Sequence, residues 1–349
     1  YLNNVDIINA IKSKMTETAY SSSVYDGDVM RTILYVDMSE LKSVAGNPET
    51  WKELMLGTAD NCLFFMPAGF DISQEMPGGG IIAGGEAGVA VTDITVVDQQ
   101  PFYTPHSFYT STYVAHYERN AENGRMLANN TTLVLPFSVL LSSDGHLLTT
   151  SDNVDERVQY FNLSNDLKKP TEGYVDYQIS PVAVTAGEAT ACIPYHVVTS
   201  EQTETTGYVI EVKGARFPVT PEAASISNHY NNSETIAYGS FNGVQKSKDP
   251  GFYYFTENYF VNSSTLPEGV DVKILPYRAW YEISSPDFSD VKRFTLDFDS
   301  DTVTGIMEIN DTPMVKGIYD LTGRHITTDN LNTLPKGLYI VNGKKIFIK

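Results

Sequence analysis

Several groups in this chain could do chemistry, yet their spacing specifies no reaction. Met76-Pro-Gly-Gly-Gly-Ile-Ile-Ala-Gly-Gly-Glu86 holds Gly78, Gly80 and Ala83 at the spacing of a dinucleotide fingerprint. That motif needs a strand ending just before it and a helix opening on it, so that a pyrophosphate meets the helix N-terminus. Here the preceding apolar run ends near Met66 and a β-like run follows, so the segment reads as a flexible loop. Asp297, Asp299, Asp301 and Glu308 occupy positions 1, 3, 5 and 12 of a calcium loop, the spacing that gathers carboxylate oxygens around a hard cation. Position 6 is Thr302 where the sharp turn needs glycine, and Phe294, Leu296 and Phe298 alternate as a strand does, so these acids are expected to decorate the outer face of a strand.

The histidines, His106, His116, His146, His196, His229 and His325, take no zinc-ligand spacing. A nucleophilic pair of Cys192 and His196 would need an exposed thiol. Ala-Cys-Ile-Pro around Cys192 and Cys-Leu-Phe-Phe at Cys62 instead read as strand interior, so both cysteines are expected to be buried free thiols. Neither a Gly-x-Ser-x-Gly elbow nor a P-loop occurs. Paired carboxylates for glycoside hydrolysis are a spatial requirement, and among 43 acids the sequence singles out no pair. No catalytic residue, metal ligand or cofactor is therefore assigned, and the chain reads as a non-enzyme, with a secreted hydrolase lacking a recognisable motif as one alternative.

Aromatic residues give a different lead. Phe252-Tyr-Tyr-Phe255, Tyr259-Phe260, Tyr277 and Trp280-Tyr281 place rings on alternate faces of strand-like runs. Rings left on a sheet surface stack on sugars or on a protein partner, and Tyr253, Tyr259, Tyr277 and Trp280 are the candidates, although most such rings go to core or cross-strand pairs. Leu135-Pro-Phe-Ser-Val139, Ile193-Pro-Tyr-His-Val197 and Leu275-Pro-Tyr-Arg-Ala279 echo one another. Proline cannot donate to a central ladder, so each should mark an edge, a bulge or a strand start.

The elements that must position these residues are mostly strands. Ile7, Ile8, Ile11 and Met15 fall on one helical face, and a second short helix is expected over residues 48–56. Strand-like runs at residues 32–37, 61–66 and 88–93 start 29 and then 27 residues apart, the length of one turn of a solenoid of stacked parallel strands. The runs resemble leucine-rich repeats loosely, without an intact consensus. From residue 101 onward, alternating apolar runs are broken by Asn, Asp, Gly and Pro, with turns such as Glu122-Asn-Gly124, Ser143-Asp-Gly145 and Phe241-Asn-Gly243. That pattern predicts one or two antiparallel β-sandwiches.

The 349 residues are expected to form two or three units: a solenoid-like or mixed α/β cap over 1–100, a β-sandwich region over 101–303 and a small β domain over 304–349. A net charge of −19 repels phosphate backbones, so nucleic acid is a poor partner. No apolar run is long enough to cross a bilayer as a helix. Tyr1 stands where a start methionine would, and an upstream signal or domain is expected to have been removed.

The tail carries the most specific pattern. Ile318-Tyr-Asp-Leu-Thr-Gly-Arg324, Leu334-Pro-Lys-Gly-Leu-Tyr-Ile-Val341, the Asn342-Gly343 hairpin signal and a closing strand to Lys349 read as compact hairpins. The order of these elements resembles the C-terminal sorting domain of the Bacteroidetes type IX secretion route, over about 45 of 349 residues. On that resemblance the motif residues are Tyr319, Asp320, Gly323, Arg324, Gly337, Tyr339 and Lys349. It implies an immunoglobulin-like domain recognised by export or anchoring machinery, and an extracellular or outer-membrane-surface location. Val91-Thr-Asp, Pro101-Phe102, residues 113–119, residues 131–137 and Leu275-Pro-Tyr-Arg-Ala279 also resemble surface proteins of these bacteria that follow leucine-rich repeats, a likeness that carries no catalytic residues. The expected function is a non-enzymatic secreted or cell-surface binding or adhesion protein with a protein or glycan ligand; a glycan-binding module is the other alternative.

Overall fold

The computed structural model describes residues 34–40, 61–70, 80–84, 87–119, 130–149, 153–163, 177–179, 181–200, 207–221, 224–230, 233–256, 258–284 and 291–296, with short pieces at 9–10, 13, 20–21, 29–30 and 167–168. Towards the C-terminus it describes residues 318–319, 325–326, 337–341 and 344–348. The chain divides into two compact units, Tyr1–Ile306 and Met307–Lys349. Both are built of strands, and the fold is mainly β. Of the first expected helix, Asn9, Ala10 and Ser13 are described and are helical; the second, at 48–56, lies outside the described residues. No helix among the described residues is long and apolar enough to cross a membrane.

Alternation explains the strands of the first unit. In Val114–Arg119, Ala115, Tyr117 and Arg119 point inward while Glu118 is exposed; in Tyr208–Lys213, Tyr208 and Ile210 do the same. These two strands pair antiparallel, with Ile94–Val97 added in parallel. A six-stranded sheet runs Arg216–Phe217, Ser107–Tyr109, Ala87–Ala90, Gly80–Ala83, Leu63–Met66, Tyr35–Asp37. Its last three strands are parallel, in register from Tyr35 through Leu63 to Gly80.

The even repeat does not carry through that ladder. The parallel neighbour of Leu63–Met66 is Gly80–Ala83, whereas Ala87–Ala90 returns antiparallel. Gly80–Ala83 belongs to the segment expected to be a flexible loop; it is instead a strand, with Gly80, Ile81 and Ile82 buried. A Cβ at Gly80 would overlap the side chain of Ile94, so the missing side chain is what lets Ile94 pack against this backbone.

Two further large sheets follow, beside three two-stranded pairs. One takes Asn130–Leu133, Tyr195–Thr199, Val154–Asn162 and His146–Leu148 in that order, with Val182–Ala183 also on Val154–Asn162. The other has eight strands: Leu167–Lys168, Tyr177–Ile179, Arg293–Leu296, Tyr259–Asn262, Phe252–Thr256, Arg278–Ser284, Ser233–Ser240, Ala224–Tyr230. Thr132 stitches these two together, its hydroxyl accepting from the Ala279 amide at 2.8 Å. One apolar core runs from Leu63 to Tyr277, so residues on both sides of position 100 share it.

The three Pro-aromatic segments meet at this seam. The Cys192 amide donates to the Leu135 carbonyl and the Val134 amide to the Tyr277 carbonyl. Pro194 directly precedes Tyr195–Thr199, Pro276 lies two residues before Arg278–Ser284, and Pro136 follows Asn130–Leu133. Phe137, Tyr195 and Tyr277 are all buried, so these segments are structural punctuation and line no open edge.

In the second unit, four strands pair antiparallel in the order His325–Ile326, Ile318–Tyr319, Gly337–Val341, Lys344–Ile348. Val341 opposite Lys344 is the register that a two-residue Asn-Gly connection sets.

Candidate binding face

Strand register builds one continuous face in the middle of the eight-stranded sheet. Tyr238, Trp280, Tyr254, Val261 and Arg293 lie opposite one another across five neighbouring strands. Beside this row lie Thr256, Tyr259 and Thr295, and on its other side Ile236, Glu282 and Phe252. The reverse face carries Ala237, Tyr281, Tyr253, Phe260 and Phe294, which form a second buried core.

A ribbon of Val244–Lys246 and Val272–Ile274 covers part of this face. Beneath it Trp280 stacks on Tyr238, ring centroids 5.6 Å apart and 19° from parallel. Lys246 sits 5.0 Å from the Phe252 ring centre and 5.8 Å from that of Trp280, and its ammonium pairs with Glu282. Glu282 also accepts from the Trp280 indole N–H at 3.2 Å. At the edge of that covered cluster Tyr254 is half-buried and packs against it; beyond it Thr256, Tyr259, Val261 and Thr295 are half-buried and Arg293 is exposed. The Arg293 guanidinium lies 4.5 Å over the Tyr259 ring. Stacking of this kind orients a guanidinium in advance and leaves an aromatic and hydroxyl-bearing surface beside it.

Of the aromatics singled out by sequence, only Tyr259 lies on the open part of this face. Tyr253 points into the core and donates its hydroxyl to the Val291 carbonyl at 2.9 Å, and Tyr277 is 0% exposed. Trp280 has the right direction but lies under the ribbon at 4% exposure. None of these three offers a ring face for stacking. Tyr254 and Arg293 were missed, and the signal for Tyr254 was alternation: with Tyr253 inward, its neighbour must point out. Among the tail residues, Tyr319, Gly337 and Tyr339 lie on strands; Asp320, Gly323, Arg324 and Lys349 are outside the described residues, as are Asp297 to Glu308.

A buried ionic cluster anchors the central strand of the face. Arg278, the first residue of Arg278–Ser284, donates from one Nη2 to both Asp98 oxygens at 2.8 and 2.7 Å. The Tyr117 hydroxyl adds a third bond to Asp98 at 2.8 Å, and the Arg119 Nε stands 3.9 Å away. Next to it, Asn61 donates to the Tyr277 hydroxyl at 2.9 Å and accepts from the Val97 amide at 2.7 Å. Tyr277 itself sits at φ +65°, a left-handed conformation costly for a bulky residue and held here by its buried contacts.

Burial alone would raise the Asp98 carboxyl, but the Arg278 and Arg119 charges and the hydrogen bonds from Arg278 and Tyr117 hold it below the ordinary value of 3.8. The Arg157 fork, donating to both Asp155 oxygens at 2.8 Å, depresses Asp155 likewise. A carboxyl whose folded value is lowered contributes stability above its unfolded value and loses it as pH falls through the folded one. Unfolding free energy, followed by urea titration, is therefore expected to stay level from pH 7 to about 5 and to drop below about pH 4. The drop should be shallower in Asp155→Asn; equal slopes would remove that assignment.

The nucleophile candidates are not poised. Burial pushes the Cys192 thiol up to about 11 and the His196 imidazole down to about 3. Ser142, Asp144 and His146 do converge, unforeseen from sequence. The carboxylate, however, takes the Ser142 hydroxyl at 2.5 Å and stands 3.2 Å from His146 Nδ1, so the hydroxyl is bonded to the acid and not to the base. Among the described residues, no three His, Cys, Asp or Glu side chains are grouped to hold a metal ion. No family model, no curated protein and no solved structure matches this chain.

Proposed function

We propose that this chain is a non-enzymatic binding protein of the extracellular surface that presents the open half of its eight-stranded sheet to a ligand. The observation that carries this reading is the face itself: Tyr254, Tyr259 and Arg293, with Thr256 and Thr295 beside them, held on paired strands with one core behind and the ribbon-covered cluster at its side. Rigid strands place such groups more precisely than loops do, and aromatic plus arginine is the composition of interface anchor points. A β-sandwich centre, a solenoid-like first part and an immunoglobulin-like Met307–Lys349 unit gripped by export or anchoring machinery complete the proposal. The tail motif supports the location, and the parallel run Tyr35–Asp37, Leu63–Met66, Gly80–Ala83 supports the first part.

A glycan is the second reading, favoured by hydroxyl-bearing threonines flanking the tyrosines, since sugars are bound by stacking together with polar groups. The purified full chain is expected to bind immobilised matrix proteins or mucins, and Tyr259→Ala and Tyr254→Ala each to weaken binding about tenfold or more, in line with about 2 kcal/mol for an anchor residue. Retarded migration in polysaccharide gels, lost in the same variants, would select the glycan. Binding that both variants leave untouched would place the ligand elsewhere and overturn the assignment of this face.

A further inference from the structure

The eight-stranded sheet ends unequally. On one side it stops at Leu167–Lys168, two residues that include a lysine. On the other it stops at Ala224–Tyr230, seven residues whose outer edge pairs with no strand among the described residues. An unpaired edge is a template for a further strand, and proteins blunt it with shortness, charge or proline. Other end strands of the first unit are treated in that way: Arg216–Phe217 and Tyr35–Asp37 are short and charged, and Tyr208–Lys213 carries Glu211 and Lys213. Ala224-Ser-Ile-Ser-Asn-His-Tyr230 contains no acid, lysine, arginine or proline.

The register shows which backbone groups this edge offers. Tyr230 faces Ser233, so a two-residue connection joins the two strands, and the pair closing such a hairpin exchanges both backbone hydrogen bonds. By alternation, Ile226, Asn228 and Tyr230 turn their amides and carbonyls toward Ser233–Ser240, and Ser225, Ser227 and His229 turn theirs outward. Ser225 is exposed. The outward set is symmetric about Ser227. A two-fold axis there pairs Ser227 with its own copy and Ser225 with the partner's His229, antiparallel, with both bonds exchanged in every pair. We infer that Ala224–Tyr230 is a dimer edge, at which a second copy of this chain adds its own Ala224–Tyr230 and two eight-stranded sheets become one. A chain of net charge −19 repels its copies, and an uncharged strand is where that repulsion costs least. Ser225 lies opposite Tyr238, on the side of the sheet that carries Tyr254 and Arg293, so each dimer presents that face twice.

Sedimentation equilibrium of the full chain should show a monomer–dimer equilibrium. Ser227→Pro removes an outward amide and none that the hairpin uses, and proline is tolerated on an edge. Two bonds are lost per dimer, so its Kd should rise about thirtyfold, with the urea midpoint of the monomer unchanged. Because proline could also disturb the hairpin, Ser227→Cys gives a second reading. Facing residues of such a pair have Cα atoms about 5.5 Å apart, within the range a disulfide bridges. Oxidised glutathione should therefore link Ser227→Cys into a covalent dimer. Ser225→Cys should stay unlinked, because its own copy lies roughly 13 Å away along the strand. Wild type, with Cys62 buried and Cys192 half-buried, is the control. A wild type that stays monomeric, including one whose edge amides are protected from hydrogen exchange by another segment, would overturn the proposal. So would a dimer that Ser227→Pro leaves intact, or equal cross-linking of the two cysteine variants.

Discussion

Asp98→Ala should cost about 3–5 kcal/mol of unfolding free energy, a large part of the roughly 5–15 kcal/mol that holds a typical domain folded. The substitution leaves the Arg278 guanidinium, which gives two hydrogen bonds to Asp98, and Arg119 beside it without any carboxylate among the described residues. It also removes the acceptor of the Tyr117 hydroxyl in a site whose rings are fully buried. Removing one partner of a buried pair is costly because the other charge stays behind, whereas replacing both by apolar groups is often close to neutral. Asp98→Ala combined with Arg278→Met should therefore recover part of the loss. Should the double variant be as unstable as the sum of the two singles, the pair contributes no coupling and the anchoring role of Asp98 fails. The same variant should weaken ligand binding at the open face, since Arg278 opens the strand that carries Trp280 and Glu282.

That cluster also marks where the sequence stops being legible. Asp98 and Arg278 are 180 residues apart in the chain, and nothing local to either announces the other. Strands, by contrast, are written locally: the alternation in Val114–Arg119 and Tyr208–Lys213 is visible residue by residue and reappears as their burial. Parallel pairing is not local, so nothing in the sequence points from Leu63–Met66 to a glycine-rich segment, and Gly80–Ala83 reads as a loop because glycine is a poor strand former unless a neighbour needs its space. The binding face lies between these cases. The aromatic run at residues 252–255 announced a sheet with rings on both sides, but which side stays open depends on the Val244–Lys246 ribbon, a tertiary fact. Hence Trp280, an expected stacking ring, is covered, while Tyr254 and Arg293 share its face.

Phe217→Ala is expected to be the most damaging apolar truncation, at about 3–5 kcal/mol from lost transfer energy and the cavity left behind. Phe217 lies on a strand of two residues, Arg216–Phe217, so backbone pairing contributes little there and the ring must hold the position. It is 1% exposed and stacks on Phe108 with centroids 4.5 Å apart and 9° from parallel. Phe137 stands 5.2 Å and Phe102 6.1 Å from it, and Phe108 in turn meets Phe65 edge to face at 6.1 Å. Through these contacts one ring joins the parallel strands of residues 35–83 to the seam of the later sheets. Phe217→Leu, which keeps most of the volume, should recover more than half of the loss. In urea the variant should shift the midpoint with an unchanged slope, because the surface exposed on unfolding is the same. The decisive feature is the shape of the transition. Both tryptophans, Trp51 and Trp280, lie in the first unit. A shared core predicts a single tryptophan-fluorescence transition, whereas two fluorescence transitions, with only one displaced by Phe217→Ala, would mean that the residues before and after position 100 unfold as separate bodies despite their common aromatic contacts.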